Sequence, residues 1–269
     1  MTNHEKSIYM KLEINSSMWK TKKDWFAKWF DTEEYHILYG DRDDNEAGEL
    51  VERLHEEYGR GATHILDAGC GAGRHVLAWS RLGYTVKGFD LSPESIGIAK
   101  TKSSKLDLSA EFKILDMRSL STEKEWTCTF DLVTNLFTSF GYFENKEDHE
   151  NVVMGFASVL KPGGILVLDY LNFNYSKTNM VFEERVEKKG SIFNIKRRLF
   201  DGYFQKSISY LDKVGERQTH IEQVKAWTST ELSELLLDFG LRVESVYGDY
   251  RLGKHSNSSP RCILVARKL

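Results

Sequence analysis

The sequence is poor in cysteine, and its few cysteines follow no functional pattern. Among 269 residues there are three, at Cys70, Cys128 and Cys262, with no C-x-x-C pair and no Cys/His spacing of a metal site. An odd, scattered set argues against a disulfide framework and against a zinc motif. We therefore expect a reduced, metal-free, cytoplasmic protein.

Long apolar runs are also missing. No run approaches the roughly 20 apolar residues that cross a bilayer, and the first residues do not resemble a secretory signal peptide. The sequence thus predicts no membrane partner. The chain is long enough for one large α/β domain with an insertion, whose core needs no covalent reinforcement.

Positive charge is not in excess, because the formal net charge is −3. Proteins that bind nucleic acids usually display a basic face, so this balance does not favour a nucleic-acid partner. One strip, residues 183–206, holds seven lysines and arginines against four acids, with aromatic residues between them. Two interpretations stay open for it: a sheet with one solvated face, or a surface for an anionic partner.

Residues 64–74, His-Ile-Leu-Asp-Ala-Gly-Cys-Gly-Ala-Gly-Arg, are the most informative stretch that is present. An apolar run ends at Asp67 and leads into glycines at alternate positions, Gly69, Gly71 and Gly73, before a helical pattern. A strand that ends in a glycine turn and leads into a helix presents backbone N–H groups to a ligand without obstruction by a Cβ atom.

A second apolar run ends at Asp90, seventeen residues after Gly73. In doubly wound α/β folds, an acid at the tip of the second strand binds the hydroxyls of a ribose. Two other nucleotide motifs are absent. The third glycine of G-x-G-x-x-G is replaced by Arg74, and there is no G-x-x-x-x-G-K-[ST] run. The pattern predicts a nucleoside pocket of another kind.

The run Leu66–Gly73 resembles motif I of the class I S-adenosylmethionine (SAM) methyltransferases, and later landmarks of that family follow in order. They are a third strand (Phe112–Met117), a fourth (Phe130–Phe137), a helix (His149–Leu160), a Lys-Pro-Gly-Gly terminator (Lys161–Gly164) and a fifth strand (Ile165–Tyr170). The resemblance covers roughly residues 60 to 172.

This resemblance implies SAM as cofactor and S-adenosylhomocysteine as product. It implies that Asp90 binds the ribose, that Asp116 and the Met117 N–H bind adenine, and that the end of the fourth strand lies under the methionine half. The implied cofactor-binding residues are Tyr39, Arg42, Asp67, Gly69, Gly71, Gly73, Asp90, Leu91, Asp116, Met117, Asn135 and Leu136.

The N-terminal region carries an aromatic stripe, Trp19, Trp25, Phe26, Trp29 and Phe30, which predicts a helix that covers the core. The segment 35–43 resembles the Tyr-x-x-Leu-Tyr-x-x-(Lys/Arg)-Asp segment of small-molecule methyltransferases, including those that methylate amino sugars. That resemblance implies that Tyr39 contacts the methionyl portion and that Arg42 pairs with its carboxylate. An ordinary surface salt-bridge cluster is the alternative.

The predicted fold is α/β, a seven-stranded Rossmann-like doubly wound sheet of the class I type with an N-terminal helical cover. We expect a cover and cofactor lid over residues 1–60 and a SAM-binding domain over 61–269. After strand five, at about 173–226, three or four alternating stretches separated by turn residues predict an antiparallel meander that roofs the substrate pocket. Glu231 stands at capping-box spacing from Thr228, at the start of the following helix.

The predicted function is methyl transfer from SAM to nitrogen or oxygen of a small molecule, by in-line displacement, in a monomer or homodimer. Tyr142, Tyr170 and His220 are candidate general bases, of which Tyr170 is the best placed, but the sequence favours a packing role over a base for each of them. The Asn/Asp-Pro-Pro-Tyr/Phe signature of amino-methylating nucleic-acid enzymes is missing. Two alternatives remain: an RNA-modifying methyltransferase, and a SAM-binding module without methyl transfer.

Overall fold

The computed structural model of the chain describes Trp19, Thr21 and residues 24–40 and 44–269. The α-helices are α1 (Trp25–Trp29), α2 (Glu33–Tyr39), α3 (Asp44–Tyr58), α4 (Arg74–Arg81), α5 (Pro93–Lys105), α6 (Lys146–Val159), α7 (Phe173–Thr178) and α8 (Ser229–Asp238). The strands are β1 (His64–Ala68), β2 (Thr85–Asp90), β3 (Ala110–Ile114), β4 (Phe130–Asn135), β5 (Leu160–Leu171), β6 (Glu183–Lys188), β7 (Ser191–Phe200), β8 (Tyr203–Leu211), β9 (Arg217–Lys225), β10 (Leu241–Tyr247) and β11 (Arg261–Lys268).

Seven strands form one sheet in the order β10-β11-β5-β4-β1-β2-β3. Strands β1 to β5 pair in parallel, and β11 runs antiparallel to both β5 and β10. This topology confirms the predicted class I fold. The order reverses between β1 and β4, which is where ligands bind in open α/β sheets.

Alternation along the buried strands divides the core between the two faces of the sheet. Leu66 and Leu168 pack with residues of α6 and α8 on one face, while Ile65 and Val167 pack with residues of α3, α4 and α5 on the other. Successive side chains of a strand point to opposite faces, so these near-continuous apolar runs are those of a sheet covered on both sides. The doubly wound arrangement follows directly.

Helix boundaries follow local chemistry. Ser92 caps α5 by accepting a hydrogen bond from the Ser95 N–H, and Pro93 occupies the first turn. At α8 both hydrogen bonds of the predicted Thr228–Glu231 capping box are present. The third strand ends at Ile114, earlier than predicted, because the Asp116 side chain caps a 3-10 helix at Met117–Thr122.

The insertion after β5 is a four-stranded antiparallel sheet in the order β6-β7-β8-β9, hereafter the roof. This confirms the predicted meander. The Lys225 N–H at the end of the roof donates to the Gly141 carbonyl over 2.8 Å, and the Tyr170 hydroxyl donates to the Lys225 carbonyl over 2.6 Å. The roof is therefore fastened to the carboxyl end of the main sheet.

Helices α1 to α3 form the cover, as the aromatic stripe predicts. Trp29 is fully buried, and its indole N–H donates to Glu222 of β9 over 2.7 Å. Leu50, Val51 and Leu54 of α3 join the core cluster that contains α4. The division at residue 60 remains a prediction, as does the assembly state.

Within the part of the chain that the structure describes, no helix is long and apolar enough to cross a membrane. Cys70 and Cys262 are buried free thiols, and Cys128 is an exposed one. The cytoplasmic compartment stays a prediction.

The junction of sheet and roof yields a stability prediction. Gly141 has φ +96°, and a Cβ atom there would lie 2.1 Å from the Tyr170 Oη. Gly141→Ala must displace that phenol, so we expect it to lower the free energy of unfolding by about 2–4 kcal/mol in urea denaturation.

Gly190→Ala is the matched control for this variant. Gly190 also has a positive φ, +80°, but a Cβ atom there would meet nothing within 4 Å. It should cost only the penalty for left-handed backbone, about 1–2 kcal/mol. Equal losses in the two variants would contradict a steric role for Tyr170.

Candidate functional site

The connection from β1 to α4, Gly69–Gly73, is hereafter the glycine turn. Its three glycines have φ values of +72°, +52° and +82°. The N–H groups of Gly69 and Cys70 both donate to the Phe89 carbonyl on β2 over 2.9 Å, which fixes the turn against the neighbouring strand. Left-handed backbone at three alternate positions explains why the turn is made of glycine.

The three glycines serve different purposes. A Cβ atom on Gly69 would lie 2.8 Å from Ser139, and one on Gly73 would lie 2.9 Å from Ala99, so both positions are closely packed. A Cβ atom on Gly71 would meet nothing within 4 Å. Gly71 therefore faces open space in a cavity, and a ligand can approach its backbone there.

Asp90 lies beside the glycine turn at the end of β2. Its Oδ2 accepts from the Gly71 N–H over 2.8 Å, and its Oδ1 accepts from the Ser92 N–H over 2.9 Å. Burial raises the pKa of this carboxyl, and backbone donors, including those of Ser92 and Gly71, lower it in part. Each carboxylate oxygen can accept a second hydrogen bond, so Asp90 can take two hydroxyl groups of a ligand. Leu91 lines the same cavity.

Asp116 and Met117 line the cavity at the end of β3. The Asp116 carboxylate accepts hydrogen bonds from the Arg118 N–H, over 2.9 Å, and from the Arg118 guanidinium, over 2.6 Å at the shortest. Arg118 also pairs with Asp24 in the cover over 2.9 Å. Asp116 is thus held in place by Arg118, and its predicted contact with adenine stays a prediction.

Three residues predicted at the cofactor lie behind the cavity wall. Asp67 is buried in β1, and its Oδ1 accepts from the Thr134 hydroxyl over 2.6 Å. The Asn135 amide donates to the Ala68 carbonyl over 2.8 Å. Gly73 packs against α5 as described, whereas Leu136 lines the cavity. Asp67, Asn135 and Gly73 therefore support the residues that face a ligand.

Aromatic side chains of the cover close the cavity above the glycine turn. Trp25, Phe26, Phe30, Tyr35 and Tyr39 line it. Their rings form a continuous series, with centroids 5.4 Å apart between Trp25 and Phe30 and 4.9 Å apart between Tyr35 and Tyr39. Such faces attract a positive charge. Arg42 lies outside the described residues.

The opposite wall of the cavity belongs to the roof. The Tyr39 hydroxyl donates to Glu222, at 2.8 Å from Oε1, and also accepts from the Lys206 ammonium. Lys206 and Glu222 are cross-strand partners on β8 and β9, and Phe204 and Val224 form the next pair on the same face. In the sequence, Lys206 stands out only as part of a basic strip, and Glu222 is not among the predicted site residues. Strand alternation places both residues on one face of the roof, but it does not show that this face lines the cavity.

The three candidate bases occupy different environments. Tyr142 lines the cavity, and its hydroxyl donates to the Thr138 carbonyl. Tyr170 is buried outside the cavity lining, and its hydroxyl is engaged by the Lys225 carbonyl. The His220 ring stacks on Trp29 with centroids 4.3 Å apart, also away from the cavity. Tyr142 is thus the candidate that faces a ligand, and the preference for Tyr170 is wrong because its side chain is buried behind the cavity.

The cavity has a volume of about 660 Å³ and runs from the glycine turn to the roof. That size suits a small-molecule site. SAM fits these residues on three grounds: the open Gly71 backbone, the remaining acceptor capacity of Asp90, and the aromatic wall. In the described ranges, no group of three or more His, Cys, Asp or Glu side chains is arranged to hold a metal ion.

Comparison with protein families and curated sequences agrees with this geometry. Residues 65–164 match the family model described as a methyltransferase domain. A putative methyltransferase of Geobacillus sp. strain WCH70 is 24% identical over 251 residues, which are 90% of this chain and 98% of that protein. The ubiquinone biosynthesis O-methyltransferase of Xanthomonas campestris is 33% identical over 108 residues, which are 40% of this chain and 43% of the relative.

Solved structures share the fold over most of the chain. A SAM-dependent methyltransferase from Clostridium acetobutylicum superposes with a TM-score of 0.73 at 17% identity, covering 90% of this chain and 97% of that one. The SAM-bound amino pentose methyltransferase CalS10 of Micromonospora echinaspora has a TM-score of 0.64 at 19% identity, covering 88% and 98%.

The buried carboxyl behind the glycine turn leads to a pH prediction. Burial raises the pKa of Asp67 to about 7, and Oδ2 has no hydrogen-bond partner among the described residues. Its contribution to stability is complete below the unfolded pKa, near 4, and is lost as the pH rises towards 7. Between pH 5 and 8, the free energy of unfolding should therefore fall by about 2–3 kcal/mol relative to Asp67→Asn.

Urea denaturation at both pH values measures this difference, with Asp212→Asn as control. Hydrogen bonds from Gln218 and from backbone N–H groups lower the pKa of Asp212, so its titration ends below pH 5. The control should keep a constant difference from the unmodified protein. A constant difference for Asp67→Asn as well would contradict a buried, protonated carboxyl.

Proposed function

We propose that this chain is a class I SAM-dependent methyltransferase and that it transfers a methyl group to nitrogen or oxygen of a small-molecule acceptor. One observation carries the proposal: a single cavity joins the glycine turn and Asp90 to the polar and apolar face of the roof. When bound, SAM would supply an activated methyl group on a sulfonium centre: a lone pair of the acceptor would bond to the methyl carbon in line with the carbon–sulfur bond, which breaks and leaves S-adenosylhomocysteine.

The residues of this chain bind, orient and exclude water. Asp90 is positioned to bind the ribose and Asp116 and Met117 the adenine, while Leu136 and Tyr39 face the methionyl half. Arg42 would pair with the carboxylate of that half. Holding two reactants in one cavity removes much of the entropic barrier, by several kcal/mol in favourable cases. The aromatic wall favours the positive charge of the sulfonium.

The acceptor would lie under the roof. Phe204 and Val224 offer an apolar surface there, and Lys206 and Glu222 offer a donor and an acceptor of hydrogen bonds. The name of one structural neighbour states that it methylates an amino pentose, and the name of one relative states O-methylation. Both support a small molecule and leave the methylated atom open between nitrogen and oxygen.

Tyr142 is the proposed general base where the acceptor must lose a proton, because it faces the cavity. Tyr170 and His220 lie outside the cavity lining: the Tyr170 hydroxyl donates to the Lys225 carbonyl, and the His220 ring contacts the rings of Trp29 and Tyr210. We assign these two residues to the support of the roof and the cover.

The basic strip at 183–206 gives less support to an RNA substrate. Lys196 pairs with Glu183, and Arg197 pairs with Glu184. The Arg198 guanidinium stacks on Trp19, and Lys206 faces the cavity. Each of these four cations is therefore either paired with a neighbouring side chain or directed into the cavity, whereas RNA binding calls for a continuous basic face.

A calorimetric titration with SAM, followed by a panel of amine, alcohol, thiol and RNA acceptors, tests the function. We expect SAM binding and release of S-adenosylhomocysteine with a small amine or alcohol. Binding without product from any acceptor would favour the alternative, a module that binds SAM without transfer. Product from RNA alone would favour the RNA-modifying alternative.

Asp90→Ala should weaken SAM binding by about 2–4 kcal/mol, which is roughly 30- to 1000-fold. The variant removes two charge-assisted hydrogen bonds to the ribose and also frees the Gly71 N–H. Asp238→Ala, at an exposed position near the end of α8, is the control and should bind like the unmodified protein. An Asp90→Ala protein with unchanged affinity would show that the cofactor lies elsewhere.

Phe204→Ala should lower kcat/KM for the acceptor by about tenfold or more and leave the SAM affinity unchanged, since it removes an apolar contact on the acceptor side. Phe200→Ala is matched in residue type and belongs to the same sheet, but its side chain is exposed outside the cavity. Steady-state kinetics should show no effect for it. If Phe204→Ala instead weakened SAM binding, Phe204 would contact the cofactor, and the acceptor would have to lie elsewhere.

A further inference from the structure

The connection that leaves β4 has an unusual backbone. Phe137 and Thr138 are consecutive non-glycine residues with φ values of +58° and +60°. Each such residue costs about 1–2 kcal/mol relative to right-handed backbone. Both residues line the cavity, as does Ser139. A costly conformation at the wall of a binding site persists only where surrounding contacts hold it.

Those contacts come from Asp169, which is completely buried near the end of β5. The Phe137 N–H donates to its Oδ2 over 2.8 Å, and the Thr138 N–H donates to its main-chain carbonyl over 3.2 Å. Asp169 thus binds the backbone of both left-handed residues.

Two residues from the far end of the chain complete the arrangement. Arg261 of β11 donates from Nε to Asp169 Oδ1 over 2.8 Å, and its Nη2 donates to the Thr138 hydroxyl over 2.7 Å. The Tyr250 hydroxyl donates to Asp169 Oδ2 over 3.0 Å. A buried carboxylate is stable when such donors saturate it. Arg261 therefore both neutralises Asp169 and binds the loop.

The arrangement extends to the glycine turn through Phe137. The Tyr250 ring stacks on the Phe137 ring with centroids 4.9 Å apart, and the Arg74 guanidinium lies 3.6 Å from the Phe137 centroid. Arg74 is the first residue of α4, directly after the glycine turn. The two loops that flank the predicted place of the methionyl half are thereby joined.

We propose that Asp169, Arg261 and Tyr250 are positioning residues, which hold Phe137 and Thr138 in the shape that receives the methionyl half of SAM. None of the three lines the cavity, so they act through the loop rather than by contact with the ligand. This inference rests on the proposed function. It assigns the C-terminal strand β11 and the segment before it a part in cofactor binding.

The experiment compares two ligands by calorimetry: S-adenosylhomocysteine, and adenosine, which lacks the methionyl half. In Arg261→Lys, an ammonium cannot bind Asp169 and Thr138 with the geometry of a guanidinium. We expect S-adenosylhomocysteine to bind about tenfold more weakly, while adenosine keeps its affinity within about twofold. Arg267→Lys, on the same strand and paired with Glu244 at the surface, should change neither ligand.

Tyr250→Phe provides a milder second variant, should Arg261→Lys fail to fold. It removes one donor to Asp169 and keeps the ring against Phe137, and we expect a several-fold loss for S-adenosylhomocysteine alone. Equal weakening of both ligands would overturn the proposal, because it would indicate a general structural role. Unchanged affinity for both would overturn it too. Failure of the proposed function would give a different result, because the unmodified protein would then bind SAM and release no product with any acceptor.

Discussion

Two carboxylates at strand ends, those of Asp90 and Asp169, hold the loops of the site in place by accepting hydrogen bonds from the backbone N–H groups of those loops. Asp90 binds the N–H groups of Gly71 and Ser92, and Asp169 binds that of Phe137. Parallel strands end together at one edge, where the following loops leave N–H groups without sheet partners. A charged acceptor makes these hydrogen bonds strong. The floor of the cavity is therefore ordered by the protein itself, and a ligand need not order it on binding.

Glu222 performs a comparable task between the cover and the roof. It accepts hydrogen bonds from the Trp29 indole and the Tyr39 hydroxyl, and Lys206 lies 3.8 Å from it. Its carboxylate thus binds two helices of the cover to one strand of the roof. Because these partners belong to separate parts of the chain, the shape of the cavity depends on tertiary contacts rather than on local sequence.

The fold is predictable from sequence because its signals are local. The glycine turn needs left-handed backbone, Thr228 and Glu231 form a cap within one helical turn, and the roof strands are separated by their own turn residues. The site is predictable in part. Asp67 and Asn135 lie in the sequence just before two loops that line the cavity. Their side chains, however, form hydrogen bonds to the neighbouring strand, behind the cavity wall. Glu222 could not be assigned to the cavity without the orientation of the roof, which is non-local information.

The cover, the sheet and the roof all line one cavity, so ligand binding is coupled to the folding of the chain. A ligand that contacts all three parts binds the assembled chain and not the unfolded one. Each tenfold excess of free ligand over its dissociation constant then adds about 1.4 kcal/mol to the free energy of unfolding. Cellular levels of the cofactor thereby contribute to how long the protein survives proteolysis, because proteases cleave the opened chain.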